Sequence, residues 1–305
     1  MNHDPTERYH AGDEPDGLEG ASFYSDFATQ KPLATAPGYG ITLAAFIVGF
    51  LLFTSTFVLA NLLGLPQIVG LLLSEVVLLS GVAAFLFLAG YSLSDTFRLA
   101  RVDNAAYPLA VQLGVALLIA NFAATLLIGP STRDIQLVSG GGTTGERIVL
   151  ALTIALVVPL VEEALFRGLL QGTLERRLRP WSAIAMAAIP FALLHGWPAM
   201  MFFLVWSLPL GWITWRAASI RPALVVHAIN NLVGLIGLFS AGAVDPQSIE
   251  RTTGHVVLAL AVIPPAAVWV VYLCRRIGAV AGVASGGEGG EGGEGGEGST
   301  IDSAL

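Results

Sequence analysis

Charge is the scarcest thing in this sequence. Asp, Glu, Lys and Arg make up 12% of its 305 residues, about half of the roughly 25% that soluble domains carry, and the shortage excludes an ordinary water-soluble globule. Cysteine occurs once, at Cys274, so no disulfide can close within the chain. No basic patch with interleaved aromatics is present, and nothing points to a nucleic-acid partner. The N-terminus lacks a basic stretch running straight into an apolar one, which argues against a cleavable signal peptide. Against these absences stands one excess. Hydrophobic residues make up 54% of the chain, gathered in windows of about 20, the length that crosses a ~30 Å hydrocarbon core. The class that follows is all-α, a polytopic membrane helical bundle with the lipid bilayer as its solvent.

Eight apolar segments are expected to be transmembrane helices, at about 41–62, 67–90, 107–129, 148–172, 182–196, 199–216, 222–240 and 254–274. The fifth runs into Gly196-Trp197-Pro198, where proline limits continuation. Residues 1–38 are acidic and turn-rich and read as a disordered cytoplasmic N-terminal tail. Residues 277–305, dominated by a Gly-Gly-Glu repeat, read as a Gly/Glu-rich disordered tail. With the N-terminus inside, the inner segments hold Arg8, Lys31, Arg98, Arg101, Arg176, Arg177, Arg179, Arg216, Arg221, Arg275 and Arg276. The outer ones hold only Arg133, Arg147 and Arg251, and Arg167 is left within the membrane. The positive-inside rule then expects both termini in the cytoplasm, at the plasma membrane if the host is prokaryotic.

Ionisable residues at membrane depth are costly and tend to face a protein interior or a wet cavity. Glu162, Glu163 and Arg167 break the fourth apolar segment in this way. Sequence neighbours project about 100° apart on an α-helix, so Glu162 and Glu163 are not expected to face one partner squarely. Glu163 and Arg167, at i and i+4, are expected to pair and to leave Glu162 free to work. A buried ion pair that fixes packing, with Glu162 hydrogen-bonded across the bundle, accounts for these residues alone equally well. His195 ends the fifth segment, where a satisfied polar side chain is the commoner role. His227 and Asn231 share one face of the seventh, where they could equally bind helix to helix. At 1.5 Å per residue, Glu162, His195, His227 and Asn231 lie roughly 15, 20, 8 and 14 Å from the cytoplasmic side, depths compatible with one cavity. A carboxylate and an imidazole can take a proton from water and pass it to a leaving amine, while a second histidine and an asparagine amide stabilise the oxyanion. That chemistry requires no cofactor. The same glutamate and two histidines, Glu162, His195 and His227, could instead hold Zn²⁺.

The order Glu162-Glu163-x-x-x-Arg167, then Phe191-x-x-x-His195, then His227-x-x-x-Asn231, with Ser219-Ile220-Arg221-Pro222 leading into the last, resembles the CPBP family of intramembrane proteases. These are the CAAX prenyl endopeptidases of the Rce1 type and the bacterial Abi or bacteriocin-processing proteins. The resemblance covers about 145–240 and implies a four-helix catalytic core there, flanked by accessory transmembrane helices at 41–129 and a last transmembrane helix at 254–276. It implies that Glu162 and His195 activate water and that His227 and Asn231 stabilise the oxyanion. Glu163 and Arg167 would be supporting or substrate-contacting. The implied partner is a peptide or membrane-protein substrate, prenylated or a leader or bacteriocin precursor, and both a glutamate-dependent and a metalloendopeptidase mechanism are described for the family.

Other protease signatures are missing: no histidine is followed by glutamate, and there is no Gly-x-Gly-Asp or Gly-x-Ser-Gly. The competing class is a non-catalytic polytopic protein, an immunity protein, a scaffold or a proton-coupled transporter using the same carboxylates. No repeat between the two halves supports a transporter. Glu75, alone in the second segment, is expected to be hydrogen-bonded in packing more than to gate a substrate path. The run Glu175-Arg176-Arg177-Leu178-Arg179 reads as a cytoplasmic anchor.

Overall fold

The computed structural model of the chain describes residues 36–128, 143–196, 199–241 and 252–284. The expected N-terminal arm up to residue 35, the Gly-Gly-Glu repeat, and Arg133 and Arg251 lie outside the described residues. Nine helices and no strand make up the described part: α1 (Tyr39–Leu62), α2 (Gln67–Leu88), the single turn α3 (Leu93–Thr96), α4 (Ala106–Ile128), α5 (Thr144–Glu175), α6 (Pro180–Leu193), α7 (Ala199–Ala217), α8 (Arg221–Ala241) and α9 (Thr253–Ala284). Apart from α3, these are the eight apolar segments in their expected order. Among the described residues, five are by themselves long and apolar enough to cross a membrane: α1, α2, α4, α5 and α9. The other three are α6, with only 14 residues, α7 and α8; α6 and α8 are apolar as well, and α8 carries His227, Asn230 and Asn231.

The helix ends follow local chemistry. Thr143 and Glu146 form a reciprocal capping box at the start of α5, with Thr143 N–H donating to Glu146 at 2.7 Å. Pro180 opens α6 at a position where its missing N–H costs nothing. Gly196 stops the chain after α6 with φ +69°, a conformation glycine adopts freely. The last helix corrects one expectation. Residues 277–284, read as the start of a flexible tail, continue α9 to Ala284. Ile277 is fully buried and Gly278 lies against the side chain of Arg216, so this stretch is part of the packed bundle.

The helices pair as α1 with α2, α6 with α7, and α4 with both α8 and α9, while α5 runs against α2, α6, α7 and α8. A short strap, residues 97–100, ties the two ends of this arrangement. Gly168 of α5 lets the Phe97 main chain approach so closely that a Cβ there would lie 2.8 Å from Phe97 Cα. Arg98 takes φ +53°, its carbonyl accepts from Ile220 N–H at 3.0 Å, and its guanidinium forks onto both carboxylate oxygens of Glu175. Ser219 donates to the Ala100 carbonyl at 2.7 Å and Arg221 to that of Leu99 at 3.1 Å. The strap therefore fixes the start of α8 against the end of α5. The basic run after Glu175 also turns inward: Arg176 donates to the Ala36 carbonyl, and Arg177 lies over the Tyr39 ring at 5.2 Å.

α5 is not wound uniformly. Thr153–Val157 and Glu163–Leu170 are π-helical, and the segments around them are α-helical. In a π turn each N–H reaches the carbonyl five residues back, as Val158 N–H does to Thr153. More residues per turn means less rotation from one side chain to the next than the 100° of an α-helix.

Candidate active site

The widened turn carries the first consequence for the site. Glu162 and Glu163 both meet the imidazole of His227, against the expectation that neighbours could not share a partner. Glu163 Oε1 accepts from Nδ1 at 2.7 Å, and Glu162 Oε2 stands 3.5 Å from Nε2. Two features make this possible: the helix turns less per residue where Glu163 begins the second π segment, and the imidazole offers nitrogens on opposite edges.

Glu163 also pairs with Arg167 as the i, i+4 spacing predicts, its Oε1 lying 3.3 Å from Nη1. The other oxygen, Oε2, is buried with no hydrogen-bond partner among the described residues, so Oε1 carries the whole interaction. Arg167 is held on three sides: by Glu163, by Ser207 Oγ of α7 at 3.0 Å, and by the Phe191 ring 4.1 Å beneath its Cζ. Its fractional exposure is 1%. Ser207 gives no signal in the sequence that would have linked it to an arginine 40 positions earlier.

With the Arg167 guanidinium beside it, Glu163 is the acceptor, so Nδ1 of His227 carries the proton and Nε2 presents its lone pair toward Glu162. Trp206 of α7 packs edge-on to the imidazole at 4.8 Å, and His227 itself is buried. Glu162 differs from the rest of the cluster. Its side chain is 18% exposed, against 0% for Glu163, 2% for Arg167 and 3% for His227.

His195 sits beyond Phe191 from this cluster. The Phe191 ring lies 4.8 Å from the His195 ring and 6.3 Å from that of His227. His195 stacks on Phe203 at 3.7 Å, and its Nδ1 lies 2.9 Å from the Phe191 carbonyl. A carbonyl can only accept, so Nδ1 carries the proton and Nε2 is the acceptor nitrogen, the same tautomer as in His227. Phe191, Phe203 and Trp206 thus form an aromatic wall linking the two histidines. Only Phe191 was legible beforehand, through its place in the second motif.

Asn231 is one turn beyond His227 and donates from Nδ2 to the Ile154 carbonyl of α5 at 2.9 Å. Its neighbour Asn230, buried, donates to the Gly114 carbonyl of α4 at 3.1 Å and so fastens α8 on its other side. Glu75 of α2 is buried at 9% exposure, with α2 packed along the Val158–Glu162 segment. It is not hydrogen-bonded to any described residue, contrary to the packing bond expected of it.

Among the described residues no three His, Cys, Asp or Glu side chains are grouped to hold a metal. Glu163 and Arg167 are engaged with each other and with Nδ1 of His227, while Nε2 of His227 faces Glu162 at 3.5 Å; the third residue of the expected zinc set, His195, stands apart from this pair, across the Phe191 ring.

No curated protein and no solved structure matches the chain. The match that does appear falls on the stretch carrying all three motifs, and the apolar helices are those of an integral membrane protein. Residues 144–233 match the family of type II CAAX prenyl endopeptidases described as Rce1-like.

Proposed function

We propose that the chain hydrolyses peptide bonds within the membrane, using a water activated at Glu162 and no metal. The observation that carries this reading is the asymmetry of the two glutamates. Glu163 is spent on Nδ1 of His227 and on Arg167, whereas Glu162 reaches the other edge of the same imidazole and keeps part of its surface open.

Glu162 takes the proton of the attacking water, and His195, with Nε2 as its acceptor nitrogen, is assigned to the same water. The proton collected by Glu162 passes to Nε2 of His227, 3.5 Å away, and the imidazolium so formed is stabilised by Glu163 at Nδ1. Its new Nε2–H then faces the oxyanion of the tetrahedral intermediate and afterwards supplies the leaving amine. Asn231, with one amide hydrogen engaged at Ile154, is assigned to the oxyanion through the other. The substrate is a CAAX-type peptide or a leader or bacteriocin-type segment entering from the membrane or its cytoplasmic face, with both termini of the enzyme cytoplasmic.

The test is a cleavage assay on purified protein in detergent, read by mass spectrometry, with a farnesylated CAAX peptide, its unprenylated twin and a leader-type peptide. Cleavage of at least one, lost in Glu162→Gln and His195→Ala while the folded protein is retained, supports the reading. Full cleavage by Glu162→Gln overturns it. A chelator that abolishes cleavage, restored by added Zn²⁺, overturns the metal-free part alone.

A further inference from the structure

Proline has no N–H, and its position in a helix decides which carbonyl is left without a partner. For Pro159 in a regular α-helix that carbonyl would be Ala155, four residues back. Here the preceding turn is in the π register, where Val158 N–H is bonded to Thr153. The next bond in that register would run from residue 159 to Ile154, and proline cannot make it. The Ile154 carbonyl is the acceptor that α5 cannot satisfy from its own backbone. At membrane depth, backbone groups freed in this way are satisfied from a neighbouring helix or by bound water. Asn231 of α8 does so, its Nδ2 lying 2.9 Å from the Ile154 oxygen.

One turn earlier on α8, His227 meets Glu162 and Glu163. The two contacts from α8 thus bracket Pro159: Asn231 on the turn before it, His227 on the turn after. We infer that Pro159 and Asn231 are a positioning pair, in which the proline unseats the Ile154 carbonyl, Asn231 takes it up, and the first π turn, Thr153–Val157, so held, sets the rotation of the turn that follows it, from which Glu162 and, at the start of the second π segment, Glu163 meet His227. This duty of Asn231 is separate from oxyanion donation. The inference deepens the proposed endopeptidase reading, on which only its activity readout rests.

Four proteins test it by thermal melting in detergent: wild type, Asn231→Ala, Pro159→Ala and the double variant. Asn231→Ala is expected to lower the melting temperature by roughly 3 °C. In the Pro159→Ala background the same change is expected to cost less than about half of that, because residue 159 now supplies a backbone N–H to this stretch and Ile154 no longer depends on Asn231. Equal losses in both backgrounds overturn the pairing. Asn231→Asp keeps the shape without the donor and is expected to melt like Asn231→Ala; melting like wild type also overturns it.

The positioning half is read from kinetics on the farnesylated CAAX peptide. Pro159 touches no substrate in the proposed mechanism, and alanine favours the helix, so a purely structural proline predicts unchanged turnover. Loss of the π turn is instead expected to lower kcat roughly tenfold or more with KM within about twofold, since small misplacements of reacting groups are costly. An unchanged kcat overturns this half. If wild type cuts no peptide, the endopeptidase reading fails and the melting cycle alone judges the pair.

Discussion

Nδ1 of His227 donates to Oε1 of Glu163 at 2.7 Å, and the same oxygen is the one that Arg167 approaches at 3.3 Å. One carboxylate oxygen therefore orients the imidazole and neutralises the guanidinium at once. Its neighbour Glu162 has no such obligations, and the two glutamates should respond differently to the same substitution. Glu163→Gln leaves Arg167 buried without its counter-charge and is expected to cost about 3–5 kcal/mol, seen as a large fall in melting temperature or failure to purify as folded protein. Glu162→Gln, partly exposed, is expected to melt within about 0.5 kcal/mol of wild type while losing cleavage. Equal melting of the two variants contradicts this division.

Glu75 gives a prediction of the opposite sign. A buried carboxylate without a hydrogen bond is costly, and α2 contributes no cation beside it. Glu75→Leu is expected to raise stability by about 1–3 kcal/mol, measurable as a higher melting temperature in the same detergent. A decrease would show that Glu75 has a partner in the membrane that stabilises it.

The strap residue Arg98 separates backbone strain from charge. Arg98→Ala and Arg98→Gly both break the pair with Glu175, and each is expected to be destabilising by a few kcal/mol. The glycine variant adopts φ +53° without the Cβ penalty, so it should melt higher than the alanine variant by about 1 kcal/mol. The reverse order would mean that the strap does not keep this backbone conformation.

Gly168→Ala forces a methyl to within 2.8 Å of the Phe97 Cα and is expected to cost about 1–3 kcal/mol. Gly234→Ala in α8 meets nothing within 4 Å and is expected to be neutral or to gain about 0.5–1 kcal/mol from helix propensity. Thermal melting of both single variants checks the contrast.

Much of this was readable in the sequence because a membrane makes polar residues conspicuous. Glu162, Glu163, Arg167, His227 and Asn231 stand out from apolar runs by cost alone, and the helix boundaries fall close to where apolar periodicity ends. The winding of α5 was not readable. Nothing in Thr153–Leu170 announces a change from 3.6 residues per turn; Pro159 looks like a tolerated kink until the orphaned Ile154 carbonyl is followed to Asn231. The extent of α9 was hidden for a different reason. Gly278 and Gly282 suggest a linker, yet Gly278 is small because Arg216 packs across it. Contacts made over long sequence separation, such as Ser207 with Arg167 or Arg98 with Glu175, leave no local trace at all.

The brevity of α6 bears on how water reaches His195. Its 14 residues rise about 21 Å, well short of a hydrocarbon layer of about 30 Å. A bilayer can answer such a mismatch by thinning, and thinning beside α6 would bring the headgroup region toward the end where His195 stands. The acyl chains would then be shallowest next to the very imidazole assigned to the hydrolytic water, and a membrane of longer-chain lipids should slow the reaction by deepening that dip.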